Sequence, residues 1–231
     1  MTVTYHPNLV QGSDKWYAAR CGLLTASEMR LIITPKTLKA ASNDAEKTHL
    51  YELLAQRITR YVEPHYVSDD MLRGHTGEIL ARALYAERYA PVTEVGFITN
   101  DKFGFTIGYS PDGLVGDDGL IECKSRRQKY QIETIVEHVA GQTIPIEFML
   151  QVQTGLMVSE REWCDFGSYC GGLPAVFIRA YPDPVVQDAI TQAAWGFETR
   201  LAAKLAAYHA AMASSARLVP TERVVEKEMY I

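Results

Sequence analysis

The chain has 231 residues, four cysteines and a formal charge of −5, and 47 % of its residues are hydrophobic. This suits one soluble domain over 1–231, with a globular part to about 213 and a tail or arm over 214–231. It excludes chains dominated by low complexity, repeats or a membrane span. The start, Met1-Thr-Val-Thr, lacks the basic-then-apolar order of a signal peptide, and cysteines at 21, 123, 164 and 170 are too scattered for a zinc site. A reduced, cytoplasmic compartment is therefore expected. The negative charge argues mildly against general nucleic-acid binding. It leaves room for a local basic track, with Arg20, Lys36, Lys39, Lys124, Arg126, Arg127 and Lys129 as candidates.

Taken in chain order, Ser13 caps a helical turn over 16–20, and Thr25-Ala26-Ser27-Glu28 offers a second helix start before the apolar 29–33. Residues 34–46 form a polar, mobile loop. A helix follows over 45–61, with Leu50, Leu53, Leu54 and Ile58 on one face. A second spans 71–89, with Leu72, Ile79, Leu80, Ala83 and Leu84 at helical spacing, and Pro91 ends it. Residues 92–99 and 103–109 are strands leading into a hairpin. Beyond the hairpin come a weak helix over 131–139, a break over 141–145 and an apolar helix over 146–158. Strands over 163–170 and 175–181 alternate, and Asp183-Pro184 starts a long Ala-rich helix over 185–212. The order implies an α/β fold, with a mixed central β-sheet flanked by α-helices.

The hairpin carries the chemistry. Ser110-Pro111-Asp112-Gly113 is a turn, Leu114-Val115 a short strand, Asp117-Asp118-Gly119 the hairpin turn, and 120–124 the returning strand. Alternate residues of a strand share a face, so Glu122 and Lys124 point one way and Cys123 points toward the core. Folding back brings Asp112 level with Glu122. A hard cation such as Mg²⁺ needs only one or two carboxylates besides water and phosphate oxygens. It acidifies water for attack on a phosphodiester, and a lysine beside it stabilises the developing charge. By themselves the three residues fit equally a surface hairpin with acidic turns.

Five motifs in order settle the choice: Trp16 to Glu28, Gly74-His-Thr-Gly77-Glu78, Ser110-Pro111-Asp112-Gly113-Leu114, Glu122-Cys-Lys124 and Leu150-Gln151-Val152-Gln153. Through them the chain resembles the lambda-type phage exonucleases, the YqaJ-like viral recombinases of the restriction-endonuclease-like superfamily. The resemblance implies that Asp112, Glu122 and the Cys123 carbonyl hold Mg²⁺, with Mn²⁺ an alternative, and that Glu78 completes the cluster directly or through water. It makes Lys124 the residue that positions the attacking water and places Gln153 near the scissile phosphate. Arg20, Ser27 and Ser110 become the pocket for a terminal 5′-phosphate. It implies a 5′-to-3′ exodeoxyribonuclease that acts on double-stranded DNA ends, releases mononucleotides and leaves a 3′ single strand for recombination. It further implies a ring-shaped trimer and a phage single-strand annealing protein as partner. A related endonuclease, an exonuclease of other polarity and a non-catalytic DNA-end-binding module are the alternatives. Residues 34–46, 125–147 and the tail after 214 match the family too weakly for roles to be transferred.

Overall fold

In the computed structural model, residues 2–63, 69–214 and 217–223 are described. They form β1 (Val3–His6), α1 (Asp14–Arg20), β2 (Leu24–Thr25), α2 (Met29–Ile32), α3 (Asp44–Thr59), α4 (Asp69–Arg88), β3 (Val92–Thr93), β4 (Phe97–Asn100) and β5 (Ile107–Tyr109). There follow β6 (Gly113–Val115), β7 (Gly119–Ser125), α5 (Gln128–Glu133), α6 (Ile146–Ser159), β8 (Trp163–Tyr169), β9 (Val176–Ala180) and α7 (Pro184–Met212). A 3₁₀ turn over Ala26–Glu28 precedes α2, and a π turn over Thr134–His138 follows α5.

The strands make two sheets, a four-stranded one in the order β1-β4-β5-β2 and a five-stranded one in the order β3-β6-β7-β8-β9. In the larger sheet β7 and β8 run parallel and the other neighbours antiparallel, which is the mixed sheet expected. A parallel pair needs a long crossover, and α5 and α6 supply it. Strand β7 is central, so Leu120, Ile121 and Cys123 are buried on both of its faces. The main core joins Leu150, Val152 and Leu156 of α6 to Ile190, Ala194, Phe197 and Leu201 of α7, and to Ile98 and Ile107 below them. Ser13 caps α1 and Asp183 caps α7 with Pro184 behind it, both as the sequence indicates. Arg57 clamps Glu198 through two hydrogen bonds of 2.8 and 2.7 Å, tying α3 to α7.

The structure corrects two readings here. Leu72, Ile79 and Leu80 of α4 are 57, 44 and 49 % exposed, whereas Gly77, Ala81 and Tyr85 face the sheet. The helical period was legible, but the buried stripe is Gly77-Ala81-Tyr85: α4 approaches β7 so closely at Gly77 that a Cβ there would lie 2.3 Å from Ser125 Oγ, and Tyr85 packs against the sheet further along. The strand expected over 92–99 divides into β3 and β4. Gly96 between them abuts the Leu9 carbonyl, where a Cβ would come within 1.8 Å. The short strands β1 and β2 carry no alternating pattern long enough to reveal them. In the tail, Arg223 stacks over the Tyr61 ring at 3.7 Å; residues 224–231 lie outside the described residues. Among the described residues no helix is long and apolar enough to cross a membrane.

Candidate active site

The β6–β7 register pairs Gly113 with Ile121, which puts Asp112 beside Glu122 and Cys123. Asp112 Oδ2 accepts a hydrogen bond of 2.5 Å from the Cys123 backbone N–H. Glu122 is 2 % exposed and fully engaged: Tyr109 donates to Oε2 at 2.8 Å, while Lys124 and Gln151 donate to Oε1 at 2.7 and 2.5 Å. Glu78 enters from α4. Gly77 beside it lets the helix approach, since a Cβ there would lie 2.3 Å from Ser125 Oγ. Gly155 does the same for α6, where a Cβ would lie 2.7 Å from the Tyr109 ring. Glu78, Tyr109, Asp112, Glu122, Lys124 and Gln151 line one cleft of about 170 Å³, shared with Arg20 and Ser27.

Gly77→Ala is expected to cost about 1–3 kcal/mol through overpacking against Ser125 and to displace Glu78. Gly74→Ala, which meets nothing within 4 Å, is expected to leave stability equal or slightly raised. Thermal denaturation of the two variants side by side checks this; equal melting temperatures would contradict the tight approach.

Electrostatics follows from burial of like charges. Burial, then repulsion from Glu122, pushes the Asp112 carboxyl up to about 8. Burial raises Glu78 too, with Glu122 adding to the rise and Lys124 opposing it. Burial alone would lower the Lys124 ammonium, but Glu122, Asp112 and Glu78 together overcome it and hold the lysine charged. Three carboxylates thus face one ammonium. That excess of oxygen donors and negative charge fits a hard divalent cation. Among the described residues no three acidic, histidine or cysteine side chains close into a complete cage, and an ion that keeps several waters needs none.

A second group lines the same cleft. Arg20 donates to the hydroxyls of Ser110 and Thr25, each at 3.2 Å, and its guanidinium stacks over the Trp16 ring at 4.3 Å. Trp16 Nε1 donates to Ser110 Oγ at 3.0 Å, and Ser27 Oγ lies 3.4 Å from Thr25 Oγ1. Arg20, Ser27 and Ser110 therefore line the same cleft.

Gln153 does not join them. Its Nε2 donates to the Tyr181 carbonyl and its Oε1 accepts from the Asp183 N–H, both at 2.8 Å, so it fixes the turn into α7. The glutamine at the centre is Gln151. Two positions along a helix turn a side chain by about 200°, so only one of the pair can reach Glu122. Gly155, four residues on from Gln151, marks the face of α6 that approaches Tyr109; that spacing was the available signal. Tyr109, Trp16 and Thr25 were also missed as site residues, being indistinguishable from core or cap residues in sequence.

A hairpin presenting Asp112, Glu122 and Lys124 at the edge of a cleft, on a mixed sheet flanked by helices, defines the restriction-endonuclease-like class of metal-dependent phosphodiester hydrolases. Within that class the YqaJ-like viral recombinase domain matches residues 15–162. The chain belongs to this family. It is similar to the alkaline exonuclease LHK-Exo of Laribacter hongkongensis, with 32 % identity over 87 % of this chain and 98 % of that one, at a TM-score of 0.74. The structure of LHK-Exo in complex with dAMP agrees, at 34 % identity, the same coverage and the same TM-score. A phage-related exonuclease from Haemophilus somnus 129PT, 12 % identical over 79 % of this chain and 96 % of that one at a TM-score of 0.59, shares the fold. No curated protein matches the chain.

Proposed function

We propose that this chain is a Mg²⁺-dependent exodeoxyribonuclease that digests one strand of linear duplex DNA from its 5′ end. Mn²⁺ would serve the same carboxylates. It would release mononucleotides and leave a 3′ single strand for recombination. The observation that carries this reading is that a hydroxyl-lined arginine and a carboxylate–lysine centre share one small cleft. A terminal phosphate on Arg20, Ser27 and Ser110 would hold the chain end while the next phosphodiester meets the centre. The dAMP held by LHK-Exo is a deoxynucleoside monophosphate, which supports mononucleotide release here.

Asp112, Glu122 and the Cys123 carbonyl would hold the metal, with Glu78 acting directly or through water. When bound, the ion supplies acidified water and charge neutralisation at the phosphate. Lys124, kept protonated by three carboxylates, orients the attacking water and donates to the charge building on the phosphate. Tyr109 and Gln151 hold both Glu122 oxygens in place. The proton on Asp112 competes with the metal, so metal binding is expected to strengthen as pH rises toward about 8.

The ring-shaped trimer and the single-strand annealing partner belong to the same proposal. The exposed Leu72, Ile79 and Leu80 on α4 favour an interface there. Sedimentation of the protein with and without Leu80→Lys checks the trimer; a monomer at all concentrations would remove it.

The test of polarity uses linear duplexes labelled at opposite ends, 5′-phosphorylated or 5′-hydroxyl, with Mg²⁺ or EDTA. Label is expected to leave the phosphorylated 5′ end in Mg²⁺ alone. Arg20→Gln is expected to lose about tenfold or more on the phosphorylated end and to equalise the two ends. Internal nicking, or digestion from 3′ ends, would replace the reading with an endonuclease or the opposite polarity. End binding without cleavage would leave a binding module.

A further inference from the structure

Just beyond the end of β7, two residues past Lys124, Arg126 is 9 % exposed and its main chain is fixed by a 2.6 Å hydrogen bond to the Tyr169 carbonyl. Its guanidinium stacks 4.9 Å from the Phe148 ring centre and 5.1 Å from that of Tyr130. Lys124 lies over the same Phe148 ring at 5.8 Å, and Lys129 over Tyr130 at 4.6 Å. Three cations thus follow one another along two rings, starting at the catalytic centre. One carboxylate, Glu147, reaches Arg126, at 3.1 Å, and its side chain is 48 % exposed. Arg126 Nε is buried with no hydrogen-bond partner. An orphaned buried donor on a guanidinium is costly unless something accepts from it in the working state. Aromatic rings interleaved with cations are the surface that a nucleic-acid backbone and its bases favour. Neither Arg126 nor Lys129 lines the cleft of Arg20 and Asp112.

Resting on the exonuclease reading, we propose that Arg126 and Lys129, mounted on Phe148 and Tyr130, bind the phosphate next to the scissile one on the side away from the 5′ terminus of the strand being cut. Arg20 holds the end and this second site holds the continuing strand, so the scissile bond is stretched between two anchors over the acidic centre. Such a site also meets an electrostatic need, because a chain of charge −5 with three clustered carboxylates repels DNA where it must approach most closely. Glu147 holds the guanidinium in the free protein and, half in solvent, is free to release it.

The experiment is a chemical cycle on 5′-phosphorylated duplex DNA in Mg²⁺. One substrate is ordinary DNA; the other carries a single neutral methylphosphonate one nucleotide beyond the scissile phosphate. Wild type is expected to lose about tenfold or more in kcat/KM on the methylphosphonate substrate. Arg126→Gln and the exposed Lys129→Gln are each expected to weaken cleavage of ordinary DNA, mainly through KM. They should lose little further on the modified substrate, and the salt slope should fall by about 0.9 for each lost phosphate contact. Losses that multiply, or variants with unchanged KM and salt slope, would overturn the site and leave Arg126 a structural clamp. Lys129→Gln keeps the test valid should Arg126→Gln unfold. If wild type cuts neither substrate, the exonuclease reading itself fails, which is a different result from independent losses.

Discussion

Asp112→Asn is expected to abolish DNA cleavage, by about 10³-fold or more, while raising the melting temperature of the metal-free protein at pH 8. The two effects share one cause. Asp112 is half-buried beside Glu122, and desolvation with that repulsion holds its carboxyl to about 8. A folded-state value raised above the unfolded one means that the native state binds the proton more tightly. The associated stability is fully present below the unfolded value near 4, and is lost as pH rises through about 8. Metal-free wild type should therefore lose stability relative to Asp112→Asn progressively between pH 4 and 8. Asparagine keeps an oxygen to accept from the Cys123 N–H but carries no charge, so it escapes this loss. Added Mg²⁺ should restore wild type at pH 8 and do little for the variant, because ligand binding to the native state alone stabilises it. Calorimetric scans over pH, with EDTA or Mg²⁺, check all of this. Wild type and Asp112→Asn whose melting temperatures change in parallel from pH 4 to 8 in EDTA would contradict the acidic centre described above.

Lys124→Ala is expected to reduce single-turnover cleavage by about 10²–10⁴-fold with the fold intact. Glu122 keeps its hydrogen bonds from Tyr109 and Gln151, so the scaffold of the site survives. What disappears is the single ammonium facing three carboxylates. Asp112 and Glu78 should then hold their protons to still higher pH, since Lys124 is the group that lowers both. The pH–rate profile of the residual activity is accordingly expected to move to the alkaline side. A residual profile that overlays wild type would mean that Lys124 does not sit within this charge cluster.

Much of this was open to a reader of the residues. The hairpin is local: a Pro-Asp-Gly turn, a second turn at Asp117-Asp118-Gly119 and strand alternation are enough to bring Asp112 level with Glu122 and to place Lys124 beside it. The caps at Ser13 and Asp183 are equally local, because a side-chain oxygen needs only the N–H groups two or three residues away. Arg20 could be paired with Ser27 and Ser110 only through motif resemblance, since 90 residues separate Arg20 from Ser110.

Other features lay beyond pattern. The face of α4 that meets the sheet is chosen by how closely two backbones approach at Gly77 and Ser125, and no periodicity encodes that distance. Gln151 rather than Gln153 reaches Glu122 because α6 is rotated so that Gly155 sits against the Tyr109 ring. The upward shifts of Asp112 and Glu78 come from burial and mutual repulsion, which arise only once hairpin and helix are packed together. Residue types and short spacings therefore specify the chemistry, through turns and strand alternation that act over a few residues. Which amide serves it, which helix face supports it and which protons it holds depend on packing between segments far apart in the chain, where steric fit and shared desolvation act.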